Sequence, residues 1–256
     1  MHNIPFRGAE RCLKALTPTR QGKLRLICFP HAGGSAGTFR AWSSLLRSDI
    51  ELFAMQYPGR EDRADEAPAC QHRGLVAELQ QALAPLQDKP CVFFGHSLGG
   101  RLALATALSA RLPPIGLIVS ACSTPYAAKH GHLLRLTRSA LIETLHESGQ
   151  TAAITDENAD LLDAYLPLIR ADLLLASQLI FPRETHLPIP LAVFYGEDDL
   201  WVDRQDLADW RLLAGGEVHE RRFPGRHLFL NEQRNAVIEA LHTLLAGPLS
   251  APPTPR

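Results

Sequence analysis

Ser97 lies at the centre of Gly95-His96-Ser97-Leu98-Gly99, with a glycine two residues away on each side. The apolar run Cys91–Phe94 precedes it and a helical pattern over 98–111 follows. A serine on a strand-to-helix elbow is forced into a strained backbone region that lifts its hydroxyl clear of the sheet. The flanking glycines let the neighbouring backbone approach closely. The chemistry this suggests is acyl transfer through a covalent serine ester. A serine hydroxyl is a poor nucleophile near neutrality, so a base and an orienting carboxylate must stand elsewhere in the chain.

In strand–elbow–helix hydrolases the partners follow in the order serine, acid, histidine. The downstream histidines are His130, His132, His146, His186, His219, His227 and His242. The first four fall in a helical insertion, His219 is mid-strand, and His242 lies within the last helix. His227 sits in the loop FPGRHLFLNE, after the last strand and before the last helix, where the base belongs. For the acid, LAVFYGEDDLWVDR puts Asp198 and Asp199 directly after a buried strand. Spacing does not separate them, and Asp203 is a third option that also suits a helix N-cap. The oxyanion of a tetrahedral intermediate needs N–H donors. One is expected from Leu98, just after the nucleophile. A second is expected from the glycine-rich loop CFPHAGGSAGTF, where His31-Ala32-Gly33-Gly34 stands in the place of the H-G-G-G stretch of lipases and esterases.

These residues need a scaffold, and the chain's patterning supplies one. Strand-like runs fall at 24–29, 50–56, 91–94, 115–121, 191–195 and 218–223; the last, VHERRF, is polar and suits a sheet edge. Helical patterns fall at 38–47, 71–86, 98–111, 139–147, 157–180, 203–214 and 232–245. The alternation predicts a mostly parallel sheet with helices on both faces, in a single α/β domain spanning 1–256. It breaks once, over about 123–188, where only helices are predicted. Such an insertion reads as a lid over the strand ends. The proline-rich tail, about 247–256, is expected to be disordered.

Composition narrows the functional classes. The 256 residues are 46% hydrophobic and 21% charged with a net charge of -1, which gives no reason to expect nucleic acid or an anionic membrane as partner. There is no secretory leader pattern and no apolar run long enough to span a bilayer, so a cytoplasmic protein is expected. The five cysteines show no C-x-x-C pairing; Cys28, Cys91 and Cys122 lie in apolar runs, and the set reads as reduced thiols.

Taken together, LICFPHAGGSAGTFRAW (26–42), QYPGREDR (56–63), FFGHSLGG (93–100), FYGEDDLWV (194–202) and FPGRHLFL (223–230) resemble the type II (external, editing) thioesterases of non-ribosomal peptide and polyketide assembly lines. The F-P-H-A-G-G-S-A loop and the P-G-R-E segment are more specific than G-x-S-x-G. The resemblance implies an α/β-hydrolase fold with a helical lid. It implies hydrolysis of misprimed short acyl groups from the phosphopantetheine arm of carrier proteins. On the family's pattern the triad maps to Ser97, Asp199 and His227, and the oxyanion donors to the backbone N–H groups of Ala32 and Leu98. It implies no bound cofactor or metal, carrier proteins or domains as partners, and a monomer. Two departures stand out: Arg226 where the family often has glycine, and Leu200-Trp201 where it commonly has a proline after the acid. Pro58-Gly59-Arg60-Glu61 is diagnostic without an evident catalytic role and reads as a turn held by an arginine or glutamate hydrogen bond. The triad alone would equally serve a carboxylic-ester hydrolase, and a non-catalytic carrier-binding protein of this fold is a further alternative.

Overall fold

The computed structural model describes residues 11–18, 21–149, 159–247 and 249. Its seven strands form one sheet in the order β1-β3-β2-β4-β5-β6-β7. They are β1 (Leu13–Ala15), β2 (Leu24–Phe29), β3 (Ile50–Met55), β4 (Cys91–His96), β5 (Gly116–Ser120), β6 (Leu191–Gly196) and β7 (Val218–Phe223). All neighbours run parallel except β1, which pairs antiparallel with β3, Leu13 opposite Met55. The helices are α1 (His72–Leu83), α2 (Leu98–Ser109), α3 (Arg138–Glu147), α4 (Ala159–Gln178), α5 (Arg204–Ala214), α6 (Phe229–Glu232) and α7 (Arg234–Ala246).

The central strands are buried on both faces, which is why they read as continuous apolar runs. Their side chains divide by the two-residue period of a strand. Ile27, Phe29, Phe53, Met55, Phe93 and Val119 face one core with Leu79, Leu102 and Trp210 of α1, α2 and α5. Leu26, Cys28, Leu52, Phe94, Ile118 and Phe194 face the other with Phe39, Trp42 and Leu241. The polar run at 218–223 is indeed the sheet edge, paired only with β6.

Two local readings of the sequence need correction. The three-residue β1 was not foreseen, because a strand so short leaves no alternation to detect. The helix expected over 38–47 is a 3-10 helix, Ala36–Ser44, capped by the Ser35 side chain. Its buried residues, Ala36, Phe39 and Trp42, recur every third position, the period of a 3-10 helix rather than an α-helix.

Between β5 and β6 the described residues form a 3-10 turn (Gly131–Arg135), α3 and α4, with a small core of Leu133, Leu141, Leu145, Leu166, Ile169 and Leu173 that also takes in Trp201. Residues 150–158 of the expected insertion lie outside the described residues, as does the expected disordered tail apart from Gly247 and Leu249. No helix among the described residues is long and apolar enough to cross a membrane.

Candidate active site

The site assembles at the carboxyl ends of the parallel strands, where the connecting loops converge. Ser97 links β4 to α2 with φ 54° and ψ −118°, a region a non-glycine residue enters only under constraint. Two features hold it there. The Ser97 N–H donates to the Ser120 carbonyl at 2.8 Å. The flanking glycines permit contacts that no side chain could share: a Cβ on Gly95 would stand 2.2 Å from the Gly99 carbonyl oxygen, and one on Gly99 2.0 Å from that of Phe29.

His227 connects Ser97 to a carboxylate. Its Nε2 is 2.9 Å from Ser97 Oγ, and its Nδ1 is 2.9 Å from Asp199 Oδ2 and 3.1 Å from Oδ1. His227 and Asp199 are both buried, and Asp199 also accepts the Trp201 N–H at 2.9 Å. The three carboxylates that spacing could not separate have different surroundings. Asp198 is exposed, and Asp203 caps α5 while pairing with Lys129; only Asp199 meets the histidine.

His96, the residue before the nucleophile, supports the base from behind. Its Nε2 donates to the His227 carbonyl at 2.8 Å, which leaves Nδ1 to accept from Ser120 Oγ at 2.9 Å. Burial, with His227 and His31 nearby, pushes the His96 imidazole well below its usual range, so the neutral form that this pattern requires is the one present. On the opposite side the Trp201 ring lies 4.8 Å from that of His227, and His130 stacks on Trp201 at 5.3 Å while donating Nε2–H to its carbonyl at 2.9 Å. Burial holds His130 down at about 4. Trp201, in place of the backbone-only roof a small residue would leave, therefore shields the imidazole from solvent.

The loop after β2 turns back at His31–Gly34, with the Gly34 N–H donating to the His31 carbonyl at 2.9 Å. Gly33 has φ +74° at the third position while Ala32 has negative φ, the signature of a type II turn. Ala32 and Leu98 line the same cavity as Ser97 and His227, and neither N–H has a hydrogen-bond acceptor among the described residues. The cavity, about 50 Å³, is also lined by Leu173, Ala176 and Ser177 of α4 and by residues 128–131. Arg101, buried in its wall, donates to the carbonyls of Leu179, Thr124 and Ala127 and to Ser123 Oγ, tying the insertion's ends to α2. Among the described residues no group of three or more His, Cys, Asp or Glu side chains is clustered as metal ligands would be.

A thioesterase-domain family model matches residues 24–245, which takes in every residue of this site. The chain belongs to the thioesterase family. It is 32% identical over 224 residues to the gramicidin S biosynthesis protein GrsT of Aneurinibacillus migulanus, covering 85% of this chain and 87% of that one. The medium-chain S-acyl fatty acid synthase thioesterase of Rattus norvegicus is 31% identical over 236 residues, covering 88% and 89%. Among solved structures, the type II thioesterase BorB from the borrelidin biosynthetic cluster superposes with a TM-score of 0.80 at 29% identity, over 91% of this chain and 97% of that one. The chain is thus a thioesterase of the serine-hydrolase type on an α/β-hydrolase fold, akin to the type II enzymes of peptide and polyketide biosynthesis.

Several residues that shape this thioesterase site escaped sequence reading. His96 and Trp201 lie beside motif residues but carry no motif of their own. Asp172 reaches the site from α4, and its only signal in the sequence is a single acid within the apolar stretch LPLIRADLLLASQLI. The Pro58–Glu61 segment is a turn held by both its arginine and its glutamate, and it also reaches α4. Glu61, at φ +46°, accepts from Ser35 Oγ at 2.6 Å, and Arg60 is bidentate to Asp172, 2.8 Å on each side. Arg226 extends to the end of α3, donating to the Glu147 carbonyl at 3.3 Å.

Proposed function

We propose that this thioesterase hydrolyses short acyl groups from the phosphopantetheine arm of carrier proteins or domains in non-ribosomal peptide or polyketide assembly lines, clearing misprimed sites. Ser97 attacks the thioester carbonyl while His227 takes its proton, and Asp199 holds the imidazole in the required tautomer and stabilises its charged form. The Ala32 and Leu98 N–H groups receive the developing oxyanion. A thiol of ordinary pKa near 8.5 leaves as thiolate with little acid assistance. The thiolate takes up the proton held by His227, and the neutral imidazole then deprotonates a water that attacks the acyl carbonyl; the ester bond to Ser97 breaks as His227 returns that proton to Ser97 Oγ, releasing the acid. These side chains and N–H groups account for each step without a metal or bound cofactor. The enzyme acts as a cytoplasmic monomer, with the helices between β5 and β6 serving as a lid on a single catalytic domain.

The observation that carries this reading is the continuous chain from Ser97 Oγ through His227 to Asp199, with 2.9 Å on each side of the ring. Incubation with an acetylated carrier protein should lower the carrier's intact mass by one acetyl group, and Ser97→Ala should abolish that change. Turnover of simple esters with none of carrier-bound acyl groups would instead assign a carboxylic-ester hydrolase.

A further inference from the structure

The turn carrying Ala32 is held largely by a helix that joins the chain more than a hundred residues later. The Gly33 N–H donates to Asp172 Oδ2 at 2.7 Å, and the Gly34 carbonyl accepts from Arg60 Nη1 at 2.9 Å. These contacts grip both sides of the type II turn and leave the Ala32 N–H without an acceptor among the described residues. Asp172 and Arg60 are themselves sealed from solvent, and Arg60 also lies 5.1 Å over the Tyr57 ring. Asp172 belongs to α4, whose Leu173 and Ala176 wall the cavity, and a Cβ on Gly33 would stand 3.2 Å from Ile169 of the same helix. The contact between turn and helix is therefore close, polar and dry.

We propose that Asp172 and Arg60 are positioning residues for the oxyanion turn, so that the Ala32 N–H is aimed at the reacting carbonyl only while α4 is docked. This rests on the assignment of Ala32 as an oxyanion donor. In water the Gly33 N–H and the Gly34 carbonyl are indifferent to the orientation of their peptides. Against a buried carboxylate and guanidinium only one orientation satisfies all four groups, because leaving any of them unpaired is costly. One contact thus sets a wall of the cavity and completes the donor pair together, so a thioester meets the full site only with α4 in place.

The test uses two double variants that each remove both charges, so neither leaves a buried ion unpaired. Arg60→Met/Asp172→Leu removes the acceptor for Gly33, whereas Arg60→Met/Asp172→Asn retains an amide oxygen in its place. Rates are measured on the propionyl thioester of pantetheine, per active site titrated with a serine-directed phosphonate. Binding of an alkyl boronic acid, which forms a tetrahedral adduct on serine, is measured alongside. Deleting one oxyanion donor outright lowers kcat by roughly 100- to 1,000-fold, so a misaimed one should lower it by about 10- to 100-fold. We expect that loss in the leucine variant, with KM changed less than about threefold, boronate affinity weakened in parallel with kcat, and most of both restored in the asparagine variant. Wild-type kcat and boronate affinity in the leucine variant, or equal losses in both variants, would overturn the proposal. Activity surviving in Ser97→Ala would instead overturn the catalytic assignment on which it rests.

Discussion

Two buried arginine–carboxylate pairs stand at opposite ends of the sheet, and their surroundings differ. Arg25 and Glu51 are direct neighbours on β2 and β3, 2.9 Å apart near the strands' amino ends. Each has a second partner at the surface, Asp88 for Arg25 and Lys89 for Glu51. Arg60 and Asp172 lie at the carboxyl end, join a loop to an insertion helix, and have no second ion-pair partner among the described residues. The first pair belongs to the sheet's foundation and can relax toward solvent. The second is closed, and its remaining hydrogen bonds go to backbone, at Gly33 and Gly34 of the turn after β2 and at the Pro58 carbonyl. The same two functional groups serve stability at one end and, as we propose, the alignment of a donor at the other.

The chemistry at the carboxyl end sets the scale for testing that contrast. Ser97→Ala should reduce kcat by about 10⁶-fold with the fold intact, measured by carrier deacylation against a circular dichroism melt. Asp199→Asn should cost about 10⁴-fold, because the imidazole loses the partner that selects its tautomer. At the other end, Glu51→Leu should lower the unfolding free energy by up to about 3 kcal/mol, with Asp88 left as a partial partner for Arg25. Its kcat per titrated site should stay within about twofold of wild type. A kcat loss there comparable to that of the Arg60/Asp172 variants would erase the distinction between the two ends.

Acid should separate the ends as well. His31 and His130 are pushed by burial to about 3 and about 4, and His96 lies well below its ordinary value, so the folded state keeps all three neutral. The unfolded chain protonates them near 6.5. Their contribution to stability is therefore complete above that pH and is lost as pH falls from about 6.5 toward 4. Each contributes a slope of about 1.4 kcal/mol per pH unit within its window. At the amino end, burial would raise the Glu51 carboxyl, but Lys89 and Arg25 outweigh it and hold it below 4.5. Its contribution is present above 4.5 and is lost only as pH falls through its lowered value. The smallest effect expected is in His130→Gln, whose melting midpoint should fall less steeply between pH 7 and pH 5 than that of wild type. An unchanged slope would place the acid sensitivity elsewhere.

Much of this arrangement is legible in the chain because its chemistry is local. The elbow needs glycines two residues either side of Ser97, and His227 needs a loop between the last strand and last helix; both demands leave marks over a few residues. The central strands are legible because burial on both faces makes each an unbroken apolar run. Asp172 was not legible, since what makes it important is Gly33, 139 residues away, and a lone acid on an apolar helix can be satisfied in many ways. The Pro58–Glu61 segment reads as a turn held by an arginine or glutamate hydrogen bond, and it is; what the sequence does not show is that the arginine's other partner is Asp172. The pattern over 38–47 marks a helix without its type, because spacings of three and four are mixed in most apolar patterns, and only burial of 36, 39 and 42 together shows it to be a 3-10 helix.

The backbone of Ser97 has a further consequence. With φ at 54°, it occupies a conformation that glycine would adopt freely and serine adopts at a cost of about 1–3 kcal/mol. Ser97→Gly should therefore melt higher than the wild type while losing all turnover, and a screen for thermal tolerance alone would select the inactive protein. Stability and activity are opposed at this one position, and the rest of the sheet must be strong enough to hold the chain in the less comfortable state.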